Sequence, residues 1–383
     1  MVKLKKIWQS TYLLMHNRKI VANCNSKLIK ICSNKKLESV DAQTQRQYLQ
    51  TWSALKCKPN LLFLKCMYSV SKVKSPLFVP EDVFYTRVEP VLNNRVYAVA
   101  YNDKNFFERY LHEFKELFPR VFLRGVNGVF YGPEYEYVPR DGIKGIIKNL
   151  DCNLEYILKP ATETGAGDDV SLVRVIGESV SVNQITLTID QFIDSLGKHK
   201  FLDFVFQERI LQCEWFKHFC PEATNIIRVF SYRSVVTNEV YILHSYFRYG
   251  YYKDTFEVYL KNGGLRHGIR SDGTLADYPI NYYGNIQPSN LLSDSIDRRE
   301  VPKYKEIVGV VRAVGEKFYH HRLLGFDFIV DSQDRVRLLE VNLRNIGMIH
   351  HQMINGPLFG EFTNEVVDYC SLNRKSASSH FYY

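Results

Sequence analysis

The sequence predicts an α+β protein in which a basic helical N-terminal segment precedes a mixed body. Three observations carry this. The chain has 383 residues, 45% hydrophobic and 14% aromatic, which suffices for a sizeable core and excludes a disordered chain. Its charge is divided: residues 1–75 hold 15 basic and 2 acidic side chains, leaving 35 basic and 39 acidic for the rest of a chain of net charge +9. Behind that segment, short β-rich runs alternate with helical ones. The near-neutral body argues against polyanion binding, so no nucleic-acid partner is expected, and residues 1–75 are where an anionic partner would be met.

The elements follow in order. Residues 1–75 read mostly as helix: Asp41 stands as an N-cap, and Tyr48, Leu49, Trp52 and Leu55 recur at helical spacing without Gly or Pro. Pro76–Asn94, with three prolines, reads as a connector wrapped on a surface. From Arg95 the runs VYAVAY, GVFY, YILKP, FVFQERI, IIRVFSY and VYILHSYFRYG read as β, and 105–117 and 302–320 as helix. No apolar stretch is long enough to span a membrane, and the N-terminal apolar run lasts only Tyr12–Met15, so neither a transmembrane helix nor a signal peptide is expected. The eight cysteines form no C-x-x-C pair, which suits reduced thiols in a cytoplasmic protein.

The strongest chemical signal lies in 325–342. FDFIV and VRLLEVN read as two strands joined by the polar turn Asp331–Asp334. Side chains alternate along a strand, so Glu340 and Asn342 share a face that Asp327 can reach from the paired strand. Together they offer hard oxygen ligands suited to Mg²⁺ held jointly with phosphates. Carboxylates among so many apolar residues call for a metal or a basic partner. A second signal is Lys159-Pro160, at the end of a strand, followed by Thr164-Gly165-Ala166-Gly167. Small residues let backbone amides approach phosphate oxygens, and the lysine adds charge beside them. The doublets His320-His321 and His350-His351 read as structural, because adjacent side chains diverge. His267 reads as an incidental loop residue beside a Gly-Gly turn, and Glu214 as a solvated carboxylate.

In this order the pieces resemble the ATP-grasp superfamily: a lysine-ended strand, a Gly-rich loop, Phe206-Gln207-Glu208-Arg209-Ile210, then Asp327 with Glu340-Val-Asn342. Asn102-Asp-Lys104-Asn resembles that family's first nucleotide lysine. Thr224-Asn225-Ile-Ile-Arg228-Val and Phe247-Arg248 with Asn262-Gly-Gly resemble its arginine strand and closing loop. Pro80-Glu-Asp-Val-Phe-Tyr and TNIIRVF point to the sugar-transfer-associated ATP-grasp family of polysaccharide-biosynthesis clusters.

The resemblance implies an ATP-grasp fold, two α+β subdomains clasping ATP. The expected organisation is a leader at 1–75, a connector and first ATP-grasp part at 76–200, a hinge strand and C-terminal subdomain at 201–370, and a tail at 371–383. Lys104 and Lys159 would contact the phosphates, Thr164–Gly167 would cover them, and Gln207, Glu208 and Ile210 would line the adenine site, with Glu214 a guess for the ribose. Asp327, Glu340 and Asn342 would hold two Mg²⁺ ions. Arg228, Arg248 and Asn262 would stabilise phosphoryl transfer and an acyl-phosphate. The implied activity is an ATP-dependent carboxylate–amine ligase acting on a saccharide or small-molecule carboxylate and an amine. A hydroxyl-phosphorylating kinase and a non-catalytic partner of glycosyltransferases are the alternatives. The basic leader suits an anionic or lipid-linked saccharide, or the inner membrane surface.

Overall fold

The N-terminal spacing is realised in three helices. In the computed structural model, which describes residues 2–162, 170–198, 202–221, 223–250, 264–288, 292–293, 296–297 and 299–373, these are α1 (Val2–Cys32), α2 (Ala42–Ser53) and α3 (Leu61–Ser71). The Asp41 carboxylate caps α2 by accepting the Thr44 amide at 2.8 Å, and Asn60 caps α3 by accepting that of Leu62 at 2.9 Å. Tyr48, Trp52 and Leu55 are fully buried and share one core with Leu323, Ile349, Met353 and Val366 from much later in the chain. The basic segment is therefore a packed layer of the fold.

Two expectations are corrected. Residues 76–94 are not a surface connector: α4 (Glu81–Val83), a π-helical turn Phe84–Val88 and α5 (Glu89–Leu92) bury Val83, Phe84, Val88 and Leu92. The prolines misled, because Pro80 caps α4 and Pro90 opens α5, positions where a missing N–H costs nothing. The run VYAVAY is α6 (Arg95–Tyr101), not a strand. The Asn94 side chain caps it by accepting the Val96 amide at 3.0 Å. Val96, Tyr97 and Val99 are exposed, so the apparent alternation marks no buried sheet face.

The remaining elements are α7 (Lys104–Tyr110) with a 3₁₀ turn at His112–Leu117, β1 (Val121–Val126), β2 (Val129–Tyr131), α8 (Arg140–Lys148), β3 (Glu155–Pro160), β4 (Ser171–Ile176), β5 (Ser179–Val182), β6 (Ile185–Thr188), α9 (Ile189–Ser195), β7 (Phe204–Glu208) and α10 (Glu214–Phe219). Then come β8 (Ile226–Arg233), β9 (Val240–Tyr249), β10 (Leu265–Ile269), the short pair β11 (Leu292–Ser293) and β12 (Ile296–Asp297), α11 (Tyr304–Gly315), β13 (Leu323–Val330), β14 (Val336–Asn342), α12 (Met348–Asn355) and α13 (Thr363–Leu372). His267 thus lies on a strand, not in a loop.

The chain divides into two units, one of residues 99–213 and 329–339, the other of 1–98, 214–328 and 340–383. The first holds an antiparallel sheet of order β2-β1-β7-β3-β4-β5-β6. Tyr156, Leu158, Phe204 and Phe206 pack from it against Ile143 and Ile147 of α8 and Phe192 of α9. The second holds a sheet of order β10-β9-β8-β13-β14. Helix α11 packs on one side, where the Tyr304 and Ser245 hydroxyls meet at 2.8 Å. Helix α12 lies on the other, where His351 stacks on Phe230 with ring centroids 3.4 Å apart. Gly268 leaves room for it, since a Cβ there would lie 2.5 Å from Ile354.

Candidate functional site

The five-stranded sheet gathers charged residues on the α12 side. Residues directly opposite each other on antiparallel strands share a face. Asp327 is opposite Arg228, Arg228 opposite Tyr246, and Arg248 opposite Arg266. Tyr246 and Arg248 are two apart on β9, so all five residues face the same way. Arg228 forks onto Asp327, its Nε donating to Oδ1 at 2.5 Å and its Nη2 to Oδ2. Both side chains are almost wholly buried. Burial alone would weaken the Arg228 charge, but Asp327 outweighs it, with Tyr246 and Glu340 adding to the effect, and the guanidinium is held above its ordinary pKa.

Glu340 and Asn342 complete this face. A Cβ on Gly325, two residues before Asp327, would lie 3.5 Å from the Asn342 Cβ. Asn342 turns its Nδ2 toward the Gly325 carbonyl at 3.4 Å, which leaves Oδ1 as the atom to offer a cation. Glu340 is half-buried. The structure therefore brings Asp327, Glu340 and Asn342 together, as the hairpin reading predicts, and adds Arg228 as the basic partner of Asp327. Among the described residues no group of three His, Cys, Asp or Glu side chains could hold a metal ion. Two carboxylates and an amide oxygen still suit Mg²⁺, which keeps waters and phosphate oxygens in its shell, and each Asp327 oxygen has a further lone pair beyond its bond to Arg228.

The seven-stranded unit carries the lysines. Lys104 opens α7, where Asp103 is the N-cap. Its amide donates to the Ala161 carbonyl at 2.9 Å, and its Nζ reaches the same oxygen at 3.4 Å. Lys159 is two residues before Ala161, so both lysines stand at the same end of β3. Gln207 is opposite Ile157, and so shares the Lys159 face of the sheet. Glu208 does structural work: its carboxylate accepts the Arg120 amide at 2.8 Å and Arg337 at 2.7 Å, and its own amide donates to Arg120 at 2.9 Å. Ile210 follows β7, half-buried. Glu214 is exposed and paired with Lys217 at 2.7 Å. Thr164, Gly165, Ala166, Gly167 and Asn262 lie outside the described residues.

The histidine doublets diverge, as read from sequence: His350 meets the Tyr282 carbonyl at 3.1 Å while His351 stacks on Phe230. Sequence reasoning missed Arg266, which stands directly opposite Arg248. Its place is set by the pairing of β10 on β9, which no local pattern in LRHGI announces.

These two sheets, with their paired carboxylates and strand-end lysines, define an ATP-grasp fold. More particularly, the chain belongs to the sugar-transfer associated ATP-grasp family, whose model matches residues 84–366. Among solved structures it is similar to N5-carboxyaminoimidazole synthetase from Staphylococcus aureus, at 9% identity and TM-score 0.35 over 69% of this chain and 51% of that one. It is also similar to L-amino acid ligase from Bacillus licheniformis, at 12% identity and TM-score 0.36 over 71% and 49%. D-alanyl-alanine synthetase A from Vibrio cholerae gives 13% identity and TM-score 0.38 over 72% and 67%. The chain spans about half the length of the first two. No curated protein matches it. Among the described residues no helix is long and apolar enough to cross a membrane.

Proposed function

We propose that the protein is an ATP-dependent carboxylate–amine ligase of surface-polysaccharide biosynthesis, modifying a sugar acid or attaching an amino acid. The observation that carries this reading is the face holding Asp327, Arg228, Glu340 and Asn342, where hard oxygen donors stand beside a buried guanidinium. Asp327, Glu340 and Asn342 would hold Mg²⁺, two ions in this reading. The chemistry such ions would supply there is neutralisation of phosphate oxygens, which would lower the charge barrier at the γ-phosphorus. Lys104 and Lys159 would contact the α- and β-phosphates as point charges, and the Gln207–Ile210 segment would meet the adenine; the expected phosphate loop Thr164–Gly167 lies outside the described residues. The substrate carboxylate attacks the γ-phosphorus, the bond to ADP breaks, and an acyl-phosphate forms. Arg228, fixed by Asp327, and Arg248, with Asn262, stabilise the transferring oxyanion. The amine then attacks the acyl carbon, the C–N bond forms, phosphate leaves, and the amine proton passes to solvent.

The test is Mg²⁺-dependent release of free phosphate from ATP across a panel of sugar acids and amino acids. Ligation requires phosphate release only when carboxylate and amine are both supplied; ADP with a phosphorylated alcohol and no free phosphate would establish the kinase alternative. Undiminished ATP turnover in Glu340→Gln would overturn the catalytic reading of this face. For the basic leader, α1 exposes Tyr12, Leu14 and Met15 beside Arg18 and Lys19, a mixed apolar and basic surface suited to an anionic membrane or a lipid-linked saccharide. Flotation with phosphatidylserine vesicles at low and high salt tests it, and equal recovery with neutral vesicles would refute it.

A further inference from the structure

Arg266 takes no part in the proposed chemistry, and its setting demands a role. It is 0% exposed, and its Nε, Nη1 and Nη2 all lack a hydrogen-bond partner among the described residues. The buried Nε of Arg248, directly opposite, also lacks one. The Arg266 backbone exchanges both hydrogen bonds with Ile280, amide to carbonyl at 3.0 Å and carbonyl to amide at 2.9 Å. Arg248 and Arg266 are therefore a non-hydrogen-bonded antiparallel pair, the kind whose side chains approach more closely, with Cα atoms about 4.5 Å apart. Like charges directly opposite each other destabilise a sheet.

The neighbours do not neutralise the pair. Asp327 is committed to Arg228. His350 and His351 of α12 are buried and kept neutral, His350 in part by Arg266 itself. Tyr246 favours the Arg266 charge, but as a neutral hydroxyl it cannot balance it. Burial, with Arg248 and Arg228 adding to it against Tyr246, pushes the Arg266 pKa down to about 10, so the side chain is still a cation at neutral pH. Five guanidinium donors in a buried, fixed fork are matched by an oxyanion, and packing alone would favour an apolar side chain here.

We propose that Arg266 and Arg248 form a paired-guanidinium site for an oxyanion of the acceptor substrate, a carboxylate or a phosphoryl group, with Arg266 as the specificity-determining member. The assignment of that anion to the acceptor rests on the ligase reading; the anion site itself does not. An acceptor without such an anion leaves the buried Arg266 cation facing the half-buried Arg248 and is rejected.

The experiment compares the full-length wild type with Arg266→Met and Arg266→Lys. Melting temperature is read in chloride and then with inorganic phosphate or acetate at matched ionic strength, with and without a Mg²⁺-loaded non-hydrolysable ATP analogue, whose own binding is titrated separately. Phosphate or acetate is expected to raise the melting temperature of the wild type with the analogue present. Arg266→Met should lose that shift, bind the probe at least about ten-fold more weakly, and melt no lower than wild type in chloride. Arg266→Lys keeps the charge without the fork and should fall between the two. The larger shift identifies the class of anion: acetate marks a carboxylate, phosphate a phosphoryl group. An Arg266→Met protein that melts lower or fails to fold, or that keeps the full anion shift, shows a structural cation and overturns the proposal. Analogue binding without any Arg266-dependent shift sinks the anion site and spares the ligase reading; the reverse pattern sinks the ligase reading and keeps the site.

Discussion

The two sheets bury different things. The seven-stranded sheet covers its inner face with Tyr156, Leu158, Val173, Phe204 and Phe206. Its charges are paired with each other, as Glu155 is with Arg174 and Arg209. The five-stranded sheet places Asp327, Arg228, Arg248 and Arg266 together on its α12 face, three of them cations. Hydrophobic burial explains most of the first sheet, whose buried strand arginine, Arg124, is paired with Glu108. It does not explain the second, because a buried ion pair is often no more stable than the apolar pair that could replace it. On the proposed reading, charge that packing does not require marks the sheet that handles an anion.

The largest expected effect comes from breaking that contrast. Asp327→Ala leaves Arg228 buried without its partner and should cost about 3–5 kcal/mol in urea unfolding. Replacing both residues, Asp327→Leu with Arg228→Met, should restore stability to the wild-type value or above it while ATP turnover stays abolished. A double variant as unstable as the single one would show that the pair is there for the fold. In the apolar sheet the same logic gives the opposite pattern. Phe206→Ala should cost about 3–5 kcal/mol, and no second substitution of a charged group should recover it.

A smaller effect sharpens the role of the strand-end lysines. On the proposed function, Lys104→Met and Lys159→Met would each remove one charge-assisted phosphate contact, worth about 1.5–3 kcal/mol, so Kd for ATP should rise roughly 10- to 150-fold. Equilibrium titration with a fluorescent ATP analogue reads this directly, and a change below about two-fold would return the lysines to the surface.

How much of this was legible in the sequence follows from how local each signal is. The hairpin bearing Asp327, Glu340 and Asn342 could be read because alternation and a polar turn act within 18 residues. The Arg228–Asp327 fork could not, since it joins residues 99 apart through the register of β8 on β13. Arg266 was hidden for the same reason: its meaning depends on standing opposite Arg248, and a short run after a Gly-Gly turn does not announce its register. The connector reading of 76–94 failed on Pro80 and Pro90, where proline starts helices. The leader's burial was legible from Tyr48, Leu49, Trp52 and Leu55, whereas its partner in the core, the C-terminal helices, was not.

The smallest effect follows from the histidines of the five-stranded sheet. Burial pushes the His244 pKa down to about 4, and that of His267 to about 4 as well, although Asp277 works against it. The ordinary histidine value is about 6.5, so below that pH the unfolded chain takes up protons that the folded chain refuses. Their contribution to stability is complete above pH 6.5 and is lost as pH falls from 6.5 to about 4. Over that window each histidine adds up to about 1.4 kcal/mol per pH unit to the decline. His267 sits among the rings of Phe219 and Tyr249, which a phenyl group can join. His267→Phe should therefore match wild type at pH 7.5 and fall less steeply between pH 6.5 and 5 in urea unfolding. Identical slopes for the two proteins would mean that His267 is protonated in the folded state, with water or an anion reaching β10, and the sheet would then be wetter than its apolar neighbours imply.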